Sequence, residues 1–263
     1  MNRHLWTDGW ITARAAVSWP CPRCTGGELE FVDDSITCKH TIDSLRRSHQ
    51  EDYCPVDAVY VFTAWLKCKA PNCRQEVGLV GTGTEEEHES WDEEGNAERS
   101  WRTTLKPLYC WPMPDIFKLP ESAPTEVKTE LRAAFRLFLS DQAAAAGRVR
   151  VSLERLLDHY RIPKRLKGGD GNFYDLNLHK RIEKFSEKES SVGEKLIALK
   201  WLGNTASHQG DVSRDDLLDG FEILEYLLAQ LFEKERAVHV AKLARRLTRK
   251  HKRHPARKRT VKK

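Results

Sequence analysis

Long apolar runs are missing from this chain. No stretch approaches the roughly 18 consecutive apolar residues of a membrane-crossing helix, and the opening MNRHLWTDGW has no apolar core of a secretion signal. A cytoplasmic protein without a membrane partner is the expectation. Acids are missing from the other end. From Lys242 onward there are 12 lysines and arginines and no aspartate or glutamate, so a net charge of +5 for the whole leaves residues 1–241 at −7. That asymmetry excludes a uniformly basic fold and points to an acidic body with one basic extension. Cysteines number seven. An odd count without a secretion signal argues against a disulfide framework and for reduced thiols, some of them serving a metal.

The 263 residues, 40% apolar and 32% charged, suffice for two modest domains with buried cores. Residues 1–20, with Trp6, Trp10 and Trp19, read as an arm packed on the first domain. Cys21 and Cys24 stand two residues apart, with Gly26-Gly27 just after to permit a tight knuckle. Leu29 to Val32 reads as a short strand. Val59 to Leu66, rich in β-branched and aromatic residues, reads as another that delivers Cys68, with Cys73 beyond it and a return strand over Glu76 to Val80. Two cysteine pairs at strand ends predict a zinc ribbon with Cys21, Cys24, Cys68 and Cys73 as ligands. Four thiolates leave no open position, so the zinc would be structural. The pairs lie further apart than in a compact ribbon, which makes residues 33–58 an insertion. Cys38, His40, His49 and Cys54 are irregularly spaced within it, and no second metal is expected there. The acidic run over 81–100 reads as a solvated loop. Cys110 reads as a core residue, and prolines at 107, 112, 114, 120 and 124 read as a stiff connector.

From Pro124 the periodicity turns helical. Val127, Leu131, Ala134 and Phe138 share one face. A second helix runs from Ser140-Asp141 to Tyr160, with Arg148, Arg150 and Arg155 among its apolar positions. Residues 161–175 read as a basic, glycine-rich loop before a shorter helix over 176–188. Residues 200–211, KWLGNTASHQGD, read as the hinge of the helical part. One helix, carrying Val192, Leu196, Leu199 and Leu202, breaks at Gly203-Asn204. Another starts at Ser213-x-x-Asp216, a capping-box pattern, and carries Leu217, Phe221, Leu224, Leu228 and Leu231. The segment after Lys242 keeps some helical character through Leu247. Arg245, Arg246, Arg249, Lys250, Lys252 and Arg253 are its candidate contacts to nucleic acid, RNA or DNA, through counterion release.

Several features together resemble the domain-of-unknown-function 4145 proteins of bacteria: the CPRC ribbon with its later cysteine pair, the proline-rich passage, the helix RVRVSLERLLDHY, and WLGNTASHQGDVSRDDLLDGFEILEYLL. That family is related to the broader HEPN superfamily, many of whose members are metal-independent ribonucleases of bacterial conflict systems. The resemblance implies a HEPN-like bundle and a place in phage defence or nucleic-acid processing. Active HEPN ribonucleases carry an arginine just before the asparagine and a histidine a few residues on. Asn204 and His208 match, but Gly203 stands at the arginine position, and the nearest cation is Lys200. Lys200, Arg148 or Arg150 would have to supply the charge, across a homodimer of bundles in one arrangement.

The expected fold class is therefore α+β. A zinc-ribbon domain over 1–106 is followed by a connector over 107–123, an all-α HEPN-like bundle over 124–236 and a basic tail over 237–263. The expected function is a nucleic-acid-associated accessory protein without full catalytic machinery. The alternatives are a ribonuclease using His208, Asn204 and Lys200, and a protein-binding scaffold.

Overall fold

The computed structural model describes residues 1–7, 9, 11–12, 17–24, 26–91, 97–208 and 212–252. In chain order they form α1 (His4–Thr7), β1 (Ile11–Thr12), β2 (Leu29–Phe31), β3 (Thr37–His40), α2 (Ile42–Arg47), β4 (Val59–Cys68), β5 (Glu76–Trp91) and β6 (Ala97–Trp111). Then follow α3 (Thr125–Leu137), α4 (Gln142–His159), a hairpin of β7 (Arg165–Lys167) and β8 (Phe173–Asp175), α5 (Leu178–Ser186), α6 (Gly193–His208) and α7 (Arg214–Lys252). The fold is α+β: an antiparallel sheet comes first and a helical half second. Among the described residues, no helix is long and apolar enough to cross a membrane.

The sheet runs β1-β6-β5-β4-β2, with β3 sharing the outer edge of β4. β4 alternates cleanly, burying Phe62, Ala64, Leu66 and Cys68 while Val61 and Trp65 face outward. The acidic stretch over 81–100, expected as a loop, is instead most of a long hairpin. Its glutamates find cations on the return strand, since Arg99 pairs with Glu87 and Glu89, each at 3.4 Å. Opposite charges facing each other across a ladder favour pairing of the run as a strand, with the ion pairs still exposed. β6 also carries straight through the boundary expected at 106/107. Pro107 is accommodated because the register shifts between Val80 and Gly81, and a strand tolerates proline at such an irregularity. The insertion over 33–58 is not an open loop either, since it holds β3 and α2. Thr41 caps α2 by accepting from the Ser44 N–H at 3.3 Å.

The helices follow their apolar spacing. Asp141 caps α4 by accepting from the Ala144 N–H at 2.8 Å. Val149, Leu153, Leu156 and Leu157 give α4 its buried face. Ser213 and Asp216 form the expected reciprocal cap of α7. Two expectations fail here. The segment over 161–175 contains the β7–β8 hairpin, and α7 runs unbroken for 39 residues, so no boundary separates bundle from tail at 236. Leucines at helical spacing lead into lysines and arginines that equally favour helix, and after Gly220 no glycine or proline interrupts them before Pro255.

The two halves share one core. Trp6 is buried, stacks on Trp19 with ring centroids 5.2 Å apart, and meets Phe138 of the helical half edge-on at 6.1 Å. Arg214 lies 5.0 Å over the Phe138 ring and donates to the Trp6 carbonyl at 3.4 Å. Arg3 pairs with Asp215 and Asp219 of α7, and the Met1 amino group with Glu225. The arm expected to cover the first domain therefore clasps both. Trp10 lies outside the described residues.

A second tie holds the far end of α4. Arg181 on α5 is buried, and donates to Asp158 at 2.7 Å and to the Ile162 carbonyl at 3.1 Å. Burial works against the Asp158 charge, but hydrogen bonds from Lys164 and Arg181 outweigh it and hold the carboxyl below its ordinary range. A depressed native pKa adds stability above the unfolded pKa of about 4, and that stability is lost as pH falls through the native value. Asp158→Asn is expected to cost about 2 kcal/mol in urea melts at neutral pH, because a buried guanidinium loses its counter-charge. The gap to the parent chain should shrink in acid.

Candidate functional site

The four predicted cysteines converge. β4 ends at Cys68, and a turn closed by the Cys73 N–H on the Ala70 carbonyl at 3.0 Å swings Cys73 back. Cys21 and Cys24 sit on the facing turn, closed by the Cys21 N–H on the Gly27 carbonyl at 2.8 Å. The Leu29–Cys68 ladder pair fixes the two turns side by side. All four sulfurs lie within 4.8 Å of one another. Cys21 and Cys73 Sγ stand 3.7 Å apart, and Cys24 and Cys68 Sγ 3.6 Å. A disulfide needs about 2 Å. A tetrahedral ion with metal–sulfur bonds of about 2.3 Å needs sulfur–sulfur edges of about 3.8 Å. The observed spacing fits the ion.

The surroundings act differently on the individual thiols. The Arg23 N–H points at Cys21 Sγ and the Ala70 N–H at Cys68 Sγ, each at 3.4 Å, so both turns aim an amide at their first cysteine. Burial alone raises the Cys24 pKa, but hydrogen bonds from Cys68, Cys73 and Cys21 bring it down to about 7. Burial pushes Cys68 up to about 12. Gly27 is essential for a reason other than turn flexibility. A Cβ there would stand 2.5 Å from Cys68 Sγ and 3.0 Å from Cys24 Sγ.

Other predicted residues scatter. His40 Nδ1 is 2.9 Å from Ser44 Oγ and its ring packs on Tyr60 at 4.7 Å. Cys38 sits on β3, and Cys54 precedes a 3-10 turn. Cys110 is buried, and burial pushes its thiol up to about 12.

In the helical half, Gly203 and Asn204 do not break the helix but lie inside α6, which continues to His208. Gly203 is where α6 crosses α4: a Cβ would stand 2.6 Å from Arg150 Cβ and 3.3 Å from the Ala146 carbonyl oxygen. Close approach, not chain reversal, is its use. Across that crossing the Arg150 guanidinium donates to Asn204 Oδ1. Lys200 is buried and its ammonium lies 3.8 Å over the ring of Trp201, while Arg148 pairs with Glu130 at 3.2 Å. Of the three expected cations, Arg150 is the one that reaches the asparagine. Arg245, Arg246 and Arg249 are exposed on α7. The side chains of His208, Lys250 and Lys252, and all of Arg253, lie outside the described structure.

Sequence reasoning missed a row of exposed aromatics on the outer sheet face: Trp65, Tyr109 and Trp111. Their signal was available, since Tyr109 and Trp111 stand two apart in what is now a strand.

Two family models match the chain. Residues 11–110 match one described as domain of unknown function (DUF8608), and residues 132–253 match one described as domain of unknown function (DUF4145). No curated protein and no solved structure matches.

One equivalent of a divalent ion per chain is expected to bind in a metal titration with tetrahedral sulfur coordination. Gly27→Ala should weaken that binding at least about tenfold, because its methyl group occupies sulfur space.

Proposed function

The helical half of this chain belongs to the DUF4145 family, and on that premise we propose a nucleic-acid-associated accessory protein acting in bacterial defence. In this reading Cys21, Cys24, Cys68 and Cys73 hold a structural zinc ion. Zinc suits them because it accepts four thiolates in a closed tetrahedral shell, and it would supply folding energy rather than chemistry. The helical half is read as a HEPN-like bundle. The observation that carries the proposal is the unbroken course of α7. Its last turns, with Lys242, Arg245, Arg246 and Arg249 and no acid after residue 235, are continuous with the buried Leu217–Phe232 seam. Positive charge is thus mounted on the body as a rigid arm of a helix about 58 Å long. Such an arm presents cations at fixed spacing to a phosphate backbone.

Salt titrations of RNA and DNA binding, with the full chain and a chain ending at residue 241, test this. The shorter chain is expected to lose most of its affinity and most of its salt dependence. Equal affinity would remove the arm from the proposal.

A second reading, a metal-independent ribonuclease, is favoured by one contact. Arg150 brings to Asn204 the guanidinium that Gly203 does not provide. RNA cleavage of this kind needs a group to take the 2′-hydroxyl proton, one to protonate the leaving oxygen, and positive charge on the phosphorane. His208 would move protons, Asn204 would orient, and Arg150 would supply charge. Cleavage in the presence of chelator, leaving 2′,3′-cyclic phosphate ends, is then expected to vanish in His208→Ala. Arg150→Ala should lower it about 10²-fold or more. Cleavage that survives His208→Ala would exclude this reading.

A further inference from the structure

The outer face of the sheet carries a cleft of about 450 Å³ that neither the cysteine cluster nor the helical motif uses. Its size lies in the range of small-molecule sites, roughly 300–1,000 Å³. Three aromatic side chains bound it: Trp65 on β4, and Tyr109 and Trp111 on β6, which are 54%, 61% and 67% exposed. Trp65, Gly78 and Trp111 share one register row across β4, β5 and β6. The two indoles therefore spring from strands about 10 Å apart with a glycine between them. Atoms of the Trp65 ring lie 3.5 and 3.7 Å from where a Gly78 Cβ would stand, so the ring packs over the glycine at van der Waals distance. Such exposure of large aromatics needs a reason, because leaving them in water forfeits their burial.

One charged residue lines the cleft, Glu76. Lys67 faces it across the ladder without reaching it, and is flanked on its other side by Glu30 of β2. Lys106 lies further along the face, opposite Thr82, and does not line the cleft. Aromatic π faces attract cations, and so does a carboxylate. The same carboxylate repels a phosphate, which disfavours a nucleotide even though its base would stack. On the floor of the cleft β5 is hydrogen-bonded to β4 on one side and to β6 on the other, so a peptide finds no free ladder between these strands. Apolar bulk, three π faces and one negative charge describe a single chemistry.

We propose that this cleft binds the quaternary ammonium group of a small molecule of the choline type. The methyl groups fill the space between Trp65 and Trp111 and displace water from their faces. The spread positive charge is met by the ring quadrupoles and by Glu76, with no hydrogen-bond donor required of the ligand. The site stands independently of the nucleic-acid reading, since it lies on the sheet and α7 plays no part in it.

Calorimetric or NMR titration of the full-length protein with choline, beside its uncharged isostere 3,3-dimethylbutan-1-ol, tests the proposal. Choline is expected to bind about tenfold more tightly than the isostere. Trp65→Leu and Trp111→Leu keep apolar bulk and remove a π face, and each should weaken choline about tenfold while leaving the isostere little changed. Glu76→Gln should weaken choline several-fold. Circular dichroism and metal content of each variant separate lost binding from lost fold, and Trp111, the most exposed of the three, is the safer substitution. Equal affinity for choline and the isostere, or no binding of either by folded protein, overturns the proposal. So does markedly tighter binding of a trimethyl-lysine peptide than of choline, which would make the face a peptide surface.

Discussion

Four thiols held within 4.8 Å cannot all ionise without a cation among them. That electrostatic constraint shapes the first half of the chain. β2 and β4 must pair in register, Leu29 against Cys68, for the two turns to meet. Gly27 must lack a side chain for the sulfurs to close. Proposed as a zinc site, the cluster would join two segments more than forty residues apart and so fix the sheet edge onto which the rest is built.

The second half depends on the first through a small contact. Trp6, Trp19 and Phe138 form a chain of rings capped by Arg214, whose guanidinium is tied to the Trp6 carbonyl. Burial lowers the pKa of that arginine, and the π faces and the carbonyl offset its desolvation. The start of α7 is thereby anchored to the sheet side, while its far end is basic. If the α7 arm contacts nucleic acid, force or displacement there would pass along one continuous helix to the ring stack.

Charge is partitioned with similar economy. The glutamates of the long hairpin are answered in part by Arg99 within it, and the acids at the start of α7 by Arg3 and the amino terminus. The cations of the α7 arm have no acid near them in the chain. Among them Lys242, Arg245, Arg246 and Arg249 are exposed, which is the physical content of the nucleic-acid proposal.

Local pattern by itself determined the two cysteine pairs, the strand leading into Cys68, the apolar faces of α3, α4 and α7 and the Ser213 cap. Each rests on residues near in the chain, where spacing alone decides geometry. Only tertiary structure decided the remainder. The acidic hairpin formed because its partners lie on the returning strand, and Gly203 stayed helical because α4 crosses there. Arg150 met Asn204 across 54 positions of chain, and three aromatics gathered on one sheet face through register. A linear reading sees charge, glycine and aromatic ring, but not what stands opposite them. That is set by pairing and packing between distant segments, whose energies depend on the neighbour as much as on the residue.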